Sequence, residues 1–331
     1  MKVSMRDVAN HASVSVATVS NVINNTRNVS PQTRERVLQS IHSLGYFPDQ
    51  IGRFLKTGKK NLIGFIVPDI SNPVWALIIE EVEAVLSEQG NKLIIVNTKE
   101  TAEREIENIR ILASGIVDGL IIASTLTDFS QIEKIVPTDF PMVFIDRVIP
   151  NCPCDSIIPQ DYNAIYEGVE QFILAGHRRI GFISGLIHLS TSQVRLNAYK
   201  NAMADYNIPI EDGYIQYGNS LSKGSIPLIQ ALLNLGCTAL VVSNNVMAGD
   251  VLRYLNQKGI SIGKDILILG QAVENNLDYN LNDIDLMVQP SAEIGAKAGQ
   301  LILERINAPG APIKNIVLYS RLIKQNRMPA I

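Results

Sequence analysis

Over most of the chain, short unbroken apolar runs alternate with longer runs whose apolar residues recur three and four apart. Leu62-Ile63-Gly64-Phe65-Ile66-Val67, Leu93-Ile94-Ile95-Val96, Gly119-Leu120-Ile121-Ile122-Ala123 and Met142-Val143-Phe144-Ile145 predict buried parallel strands. Amphipathic stretches near 75–89, 102–113 and 131–136 predict the helices between them. A second set follows, with strands at Ile180-Gly181-Phe182-Ile183, Ala239-Leu240-Val241-Val242 and Ile266-Leu267-Ile268-Leu269 and helices near 164–175, 193–206, 226–235 and 246–258. A strand that is apolar on both faces needs helices covering both faces. The alternation therefore predicts doubly wound α/β units, and two successive sets predict two of them.

The opening segment follows a different, all-helical pattern. Ser4 suits an N-cap with Asp7 at N3, and Val8, Ala9 and Ala12 turn inward. Ser13-Val14-Ser15 interrupts this helix, and a second from about 16 to 24, capped by Ser15, packs Val19, Val22 and Ile23 against the first. A third takes Ser30 as cap, Pro31 at its first position and Gly45 as C′, with Val37, Ile41 and Leu44 inside. Two short helices pinched around a tight turn read as a helix-turn-helix for the DNA major groove. The outward residues at the start of its second helix, Val16, Ala17, Ser20 and Asn21, are the candidates for reading base edges. Val16 and Ala17 offer apolar contact to thymine methyls, and Asn21 can both donate to and accept from adenine. Ser15, Thr18 and the helix N-terminus suit phosphate oxygens.

Charge strengthens this reading. Residues 1–60 carry nine Lys/Arg against three Asp/Glu, and the remaining 271 carry twenty against twenty-nine. Arg34 and Lys56, among Arg27, Arg36, Arg53, Lys59 and Lys60, are assigned to a phosphate footprint. At 331 residues and 46% hydrophobic, the chain can bury two to three cores. No apolar run approaches the roughly 20 residues needed to cross a bilayer, and Met1-Lys2-Val3-Ser4-Met5-Arg6 lacks the apolar stretch of a secretory signal. A cytoplasmic protein without membrane contact is the expectation. Cys152, Cys154 and Cys237 cannot all pair, and the four histidines show no zinc spacing. Cys152-Pro153-Cys154 is read as reduced thiols in a loop, and neither cofactor nor metal is expected. A nucleotide-binding G-x-G-x-x-G, a phosphate loop, a nucleophile elbow and H-E-x-x-H are all missing, which argues against the main rival class, an α/β enzyme. An exported solute-binding protein would explain two α/β units but not the basic head.

The head, together with Tyr46-Phe47-Pro48-Asp49-Gln50-Ile51-Gly52-Arg53-Phe54-Leu55-Lys56, resembles the lac repressor family of bacterial regulators, and the resemblance extends over essentially the whole chain. It implies a helix-turn-helix head at 1–46, a hinge at 47–60 that becomes helical on DNA, and a periplasmic-binding-protein-like body at 61–331. Leu55 would be the wedge that enters the minor groove and kinks the duplex. Gly52, where the family more often has alanine, lowers helix propensity by about 1 kcal/mol. The body would comprise an N-lobe of about 61–160 and 291–319 and a C-lobe of about 161–288 and 320–331, with a ligand between them at the carboxyl ends of the strands. Matching the family's cleft positions gives Asp69 and the Asn72-Pro73-Val74-Trp75 turn, Asp146 and Arg147, Arg195, Asn244, Gln271 and Gln289. Blander readings stand beside these: Asp146 and Arg147 as a local ion pair, Trp75 as core.

Two departures bear on the ligand. Asn244-Asn245 replaces the family's Asn-Asp, and Gly270-Gln271-Ala272-Val273 replaces Gly-Phe-Asp-Asp. Loss of that carboxylate beside Arg195 points to an anionic effector such as a sugar acid or sugar phosphate. The alternative is a neutral sugar with Glu274, Asp69 or Asp146 as acceptor. The expected function is a repressor that binds a near-palindromic double-stranded DNA operator as a homodimer and answers to a small carbohydrate-type effector. No leucine heptads follow the last expected strand, 318–324, so a dimer rather than a tail-built tetramer is expected.

Overall fold

In a computed structural model of the chain, residues 3–24, 27–47, 59–219, 224–273 and 283–324 are described. Two units separate, 1–60 and 61–331. Leu55, Lys56, Gly52 and Glu274 lie outside the described residues.

The first unit is built from α1 (Met5–His11), α2 (Val16–Asn24) and α3 (Pro31–Ser43). Ser4 and Asp7 form a reciprocal capping box: the Asp7 N–H donates to Ser4 Oγ at 3.3 Å and the Ser4 N–H to Asp7 Oδ2 at 2.8 Å. The turn after α1 sets Ser13 at φ 52, and the Val14 N–H reaches back to the Ala9 carbonyl, so the chain reverses within three residues. Val8, Ala9, Ala12, Val19, Val22 and Val37 form the core, closed by Tyr46 from beyond α3. Ser40 is also buried, donating to the Arg36 carbonyl and bonded to His11 Nδ1 at 2.9 Å, which ties α1 to α3.

The second unit holds two sheets. The first runs β11–β5–β4–β3–β1–β2, all parallel, from β1 (Leu62–Val67), β2 (Lys92–Asn97), β3 (Gly119–Ile122), β4 (Met142–Ile145), β5 (Asp155–Gln160) and β11 (Asn315–Tyr319). Helices α4 (Pro73–Glu88), α5 (Ala102–Ala113), α6 (Ser130–Glu133) and α11 (Ser291–Asn307) belong with it. The second runs β12–β10–β9–β8–β6–β7, from β6 (Ile180–Ser184), β7 (Ile215–Tyr217), β8 (Ala239–Val242), β9 (Leu267–Ala272), β10 (Asp285–Val288) and β12 (Arg321–Ile323). Among the described strands only β12 is antiparallel there. Its helices are α7 (Tyr162–Leu174), α8 (Ser190–Asp205), α9 (Ser225–Asn234) and α10 (Asn245–Gln257). The chain passes between the sheets after Gln160, after Val288 and at Ser320.

Several expectations change. The run at 93–96, predicted to be buried, is part of edge strand β2, whose residues stay half exposed, with Ile95 at 42%. An apolar run does not say whether a neighbour lies on both sides. The helix expected near 131–136 shortens to one turn, because Pro137 follows closely and the residue before a proline disfavours the helical region. The final strand expected at 318–324 is two, β11 and β12, one for each sheet, and they divide at Ser320, where the lobe bounds implied by the resemblance put the boundary. Strands β5, β7 and β10 escaped the apolar pattern because they are short or carry polar ends such as Asp155, Gln160 and Asp285.

Candidate functional site

In the first unit, α2 presents a small mixed surface at its N-terminal end. Val16 and Ala17 are exposed, and Ser20 and Asn21 half exposed, so all four stand outside the core that Val19 and Val22 fill. Ser15 Oγ accepts from the Thr18 N–H at 3.1 Å and contacts Thr18 Oγ1 at 2.9 Å. Both hydroxyls thus serve the cap, and each keeps lone pairs or a proton for a further partner. The Ser20 backbone carbonyl accepts from Asn24 Nδ2 at 2.9 Å, so Asn24 braces the reading face from behind. Arg34, on α3, is half exposed. Apolar groups, hydroxyls and an amide on one helix end match what a major-groove edge offers.

In the second unit, the carboxyl ends of both sheets face one cleft of about 60 Å³, walled by Asn72, Trp75, Glu100, Asp146 and Arg147 from the first sheet's side. Leu189, Ser192, Arg195, Asn244, Asn245, Gln271 and Gln289 wall it from the other. Each water needs on the order of 10–15 Å³ of such space, so the cleft suits a small ligand. Of the sequence-chosen residues all but Asp69 and Pro73 meet here; the Asp69 carboxylate is taken by Ser71 (2.8 Å) and Lys99 (3.0 Å). Trp75 satisfies both of its readings, since it is 5% exposed within the first lobe's core and also lines the cleft.

The two arginines are already paired. Arg147 engages Glu100 through both terminal nitrogens, at 2.7 and 2.8 Å, and donates to the Ser124 carbonyl at 3.1 Å. Its contact with Asp146 is longer, 3.5 Å, so the expected local pair is the lesser one. Ser124 is in turn held by Glu105, which also accepts from the Thr125 N–H at 2.7 Å. Burial pushes the Glu105 carboxyl above its ordinary value, against these bonds. Asp146 follows the end of β4 at φ +66, a strained setting for a non-glycine residue, and burial pushes its carboxyl above the usual range despite the neighbouring Arg147.

Arg195 sits in the second turn of α8, not at its head, and is 5% exposed. Its Nε donates to Asp161 Oδ2 at 2.7 Å, its Nη2 lies 2.6 Å from the same oxygen, and its Nη1 donates to the Ser243 carbonyl at 2.5 Å and Gln271 Oε1 at 3.4 Å. Four of its five donors are therefore used inside the protein. Gln271 passes the chain on to Gln289 at 2.8 Å, and Gln289 returns to Asp161 at 3.2 Å. Ser320 Oγ donates to the other oxygen of Asp161 at 2.5 Å. Asp161 thus joins residues at all three crossings between the sheets to the cleft arginine. Nothing in its type or spacing separated Asp161 from a surface carboxylate; its position at a crossing was the one available signal. Glu100 was missed for the same reason.

The lobes also touch directly. Asn72 and Asn245 exchange amide hydrogen bonds at 2.8 and 3.3 Å, and the Val148 N–H donates to Ser190 Oγ at 2.9 Å. The cleft wall therefore holds two guanidinium groups and the carboxyls of Glu100 and Asp146, with amides between them, and Asp161 stands behind Arg195. Such a site is rich in hydrogen-bonding groups and carries no net positive charge.

Comparison with known proteins agrees with this arrangement. Residues 60–326 match a model described as periplasmic binding proteins and sugar binding domain of LacI family, and residues 4–49 match one described as bacterial regulatory proteins, lacI family. The chain is 31% identical over 317 residues to the ribose operon repressor of Haemophilus influenzae, covering 95% of each protein. It is 29% identical over 310 residues to catabolite control protein A of Priestia megaterium, covering 93% of each. Its fold aligns with a crystal structure of the lac repressor dimer bound to operator and the anti-inducer ONPF, with a TM-score of 0.82 at 25% identity over the full length of both chains.

Proposed function

This chain belongs to the lacI family of bacterial regulatory proteins, and from that premise we propose that it is a cytoplasmic, homodimeric repressor whose paired heads read a near-palindromic operator. Val16, Ala17, Ser20 and Asn21 read bases. Ser15, Thr18, Arg34 and Lys56 meet phosphates, and Leu55 enters the minor groove. A small effector bound between the lobes, on Trp75, Asp146, Arg195, Asn244, Gln271 and Gln289, changes operator affinity. The observation that carries this reading is the coexistence in one chain of a capped helix-turn-helix with an exposed reading face and a two-lobed body closing on a polar cleft.

Two effector chemistries were open, and the charge balance favours the uncharged one. An anionic sugar needs a free cation, but Arg195 is neutralised by Asp161 and Arg147 by Glu100. Asp146, raised by burial, and the amides of Asn244 and Gln271 supply what hydroxyl groups require. We assign a neutral sugar or polyol of monosaccharide size.

The test uses a duplex selected by the full-length protein from a random library, with binding followed by fluorescence anisotropy. Asn21→Ala is expected to lose about 1–3 kcal/mol on the selected duplex and little on unrelated DNA. Residues 61–331 alone should bind neutral monosaccharides, measured by calorimetry, and fail to bind the duplex. Selection by residues 61–331 of the same duplex as the full chain would refute the assignment of the head, and binding of acidic sugars alone would refute the neutral effector.

A further inference from the structure

The segment 98–105, which leads from β2 into the first turn of α5, reaches Arg147 from two sides. Glu100, at φ +54 and directly after Lys99 at the same angle, engages both terminal nitrogens of Arg147, at 2.7 and 2.8 Å. Glu105 reaches it through a backbone carbonyl. It is fully buried, and its carboxylate accepts from Ser124 Oγ, from the Thr125 N–H at 2.7 Å and from Thr125 Oγ1 at 2.6 Å. The Ser124 hydroxyl also accepts from the Leu126 N–H at 3.0 Å, so residues 124–126, just beyond the end of β3, are clamped to α5. The Ser124 carbonyl in turn accepts from Arg147 Nη1 at 3.1 Å. A forked pair to one carboxylate leaves a guanidinium free to swing with its partner; a third acceptor on a separate element removes that freedom. The buried Nε of Arg147 has no hydrogen-bond acceptor among the described residues and lies 3.5 Å from Asp146 Oδ2, and Arg147 lines the cleft. Where that N–H points is set by how the two ends of the fork are held.

We propose that Glu105 is a positioning residue of the effector cleft, fixing the Arg147 guanidinium through the Ser124 carbonyl. Burying a carboxyl is costly unless its oxygens find donors, and here three donors from two consecutive residues converge on it. Filling the core alone would be met by an apolar residue such as Ile109, which is buried on the same helix. The role also separates glutamine from alanine. Glutamine can keep the contacts, its oxygen accepting from Thr125 and its amide donating to Ser124 Oγ, whereas alanine makes none of them. Burial already pushes the Glu105 carboxyl above its ordinary value, so removing its charge is a small change and removing its acceptors a large one. With Glu105 gone, residues 124–126 lose their anchor, the Ser124 carbonyl shifts, and Arg147 is held by Glu100 alone.

The role assigned to Glu105 rests on the reading of the cleft as an effector site, so one arm of the test needs no sugar. Full-length protein is treated with phenylglyoxal, which modifies guanidinium groups, and the labelling rate at Arg147 is followed by peptide mass spectrometry. Arg147 is expected to label about fivefold faster in Glu105→Ala than in the parent, and near the parent rate in Glu105→Gln. Ile109→Ala opens the core under α5 without touching the network, so it should lower the unfolding temperature and leave the Arg147 rate unchanged. Should Glu105→Ala fail to fold, Ser124→Ala keeps the carbonyl, loses the link to Glu105 and is expected to label faster. In the second arm, D-ribose, D-glucose and D-galactose are titrated by calorimetry. A sugar that binds the parent should bind Glu105→Ala about fivefold more weakly, and Glu105→Ala should add nothing in an Arg147→Ala background. If none of the three binds the parent, the effector reading loses support and the labelling rates alone uphold or overturn the role of Glu105. Parent-like labelling in both Glu105→Ala and Ser124→Ala would overturn it, as would a Glu105→Gln variant as reactive as Glu105→Ala, or additive losses of affinity in the double variant.

Discussion

Asp146 combines a left-handed backbone, φ +66, with a buried carboxyl that pairs with Arg147 at 3.5 Å and lies in the field of Arg195, Asp161 and Glu100. Burial raises its folded value, so in the pH interval between the unfolded and folded values the native chain holds a proton that the unfolded chain has shed. The stability gained from this proton is full below the unfolded value near about 3.9 and is lost as pH rises through the raised folded value. Asp146→Asn removes the titration, and asparagine accepts positive φ more readily than most residues. The variant is expected to stay within about 1 kcal/mol of the parent at neutral pH and to show a flatter pH dependence in urea midpoints, with weaker sugar binding by calorimetry. An unaltered pH profile would count against this account. The residue identities alone gave Asp146 as a candidate; its strain and its raised carboxyl depend on β4 ending where it does.

At the scale of elements, the packing of α11 on α4 rests on two glycines. A Cβ on Gly295 would lie 2.6 Å from the Ile78 carbonyl oxygen and 2.7 Å from Glu81 Cβ, and one on Gly299 would lie 2.9 Å from Val85 Cβ. Backbone oxygen cannot swing aside as a side chain can, so Gly295→Ala forces the helices apart. The expected cost is about 1–3 kcal/mol in thermal or urea unfolding. Gly310→Ala, with nothing within 4 Å, is the matched control and should be nearly neutral. Equal effects of the two would contradict the packing argument. The spacing of Gly295 and Gly299 is visible in the sequence, but the helix they face, at Pro73–Glu88, lies far earlier in the chain.

At the scale of the molecule, the body is two sheets joined at three crossings, and Asp161 lies at the first of them. It binds Ser320 at the third, Gln289 at the second, and Arg195 in the cleft. A ligand that moves Arg195 therefore acts on every covalent link between the lobes at once. Asp161→Asn leaves the Arg195 guanidinium buried without its counter-charge, which costs about 3–5 kcal/mol when a buried pair is broken. Urea unfolding should show that loss. Operator binding by the folded variant, measured with and without sugar, should lose most of its response. A variant with full sugar response would mean that lobe movement is carried elsewhere, for instance by the Asn72–Asn245 contact.

Local chemistry determined the head. Caps, a three-residue interruption and apolar spacing of three and four are properties of neighbours along the chain, so Ser4, Ser15, Ser30 and Gly45 mark the helix ends in sequence and structure alike. The same locality placed most body strands, because a run apolar on both faces has few alternatives. Tertiary structure decided what depends on partners distant in sequence: that 93–96 forms an edge, that 318–324 divides between two sheets, and that Tyr46 completes the head's core. It also settled the electrostatics of the cleft. From the sequence, Arg195 beside a missing carboxylate left a surplus of positive charge; in the fold, Asp161 and Glu100 arrive from other elements and cancel it. Which charges meet in a low-dielectric interior is set by chain topology, and interaction energies there change steeply over a few ångströms.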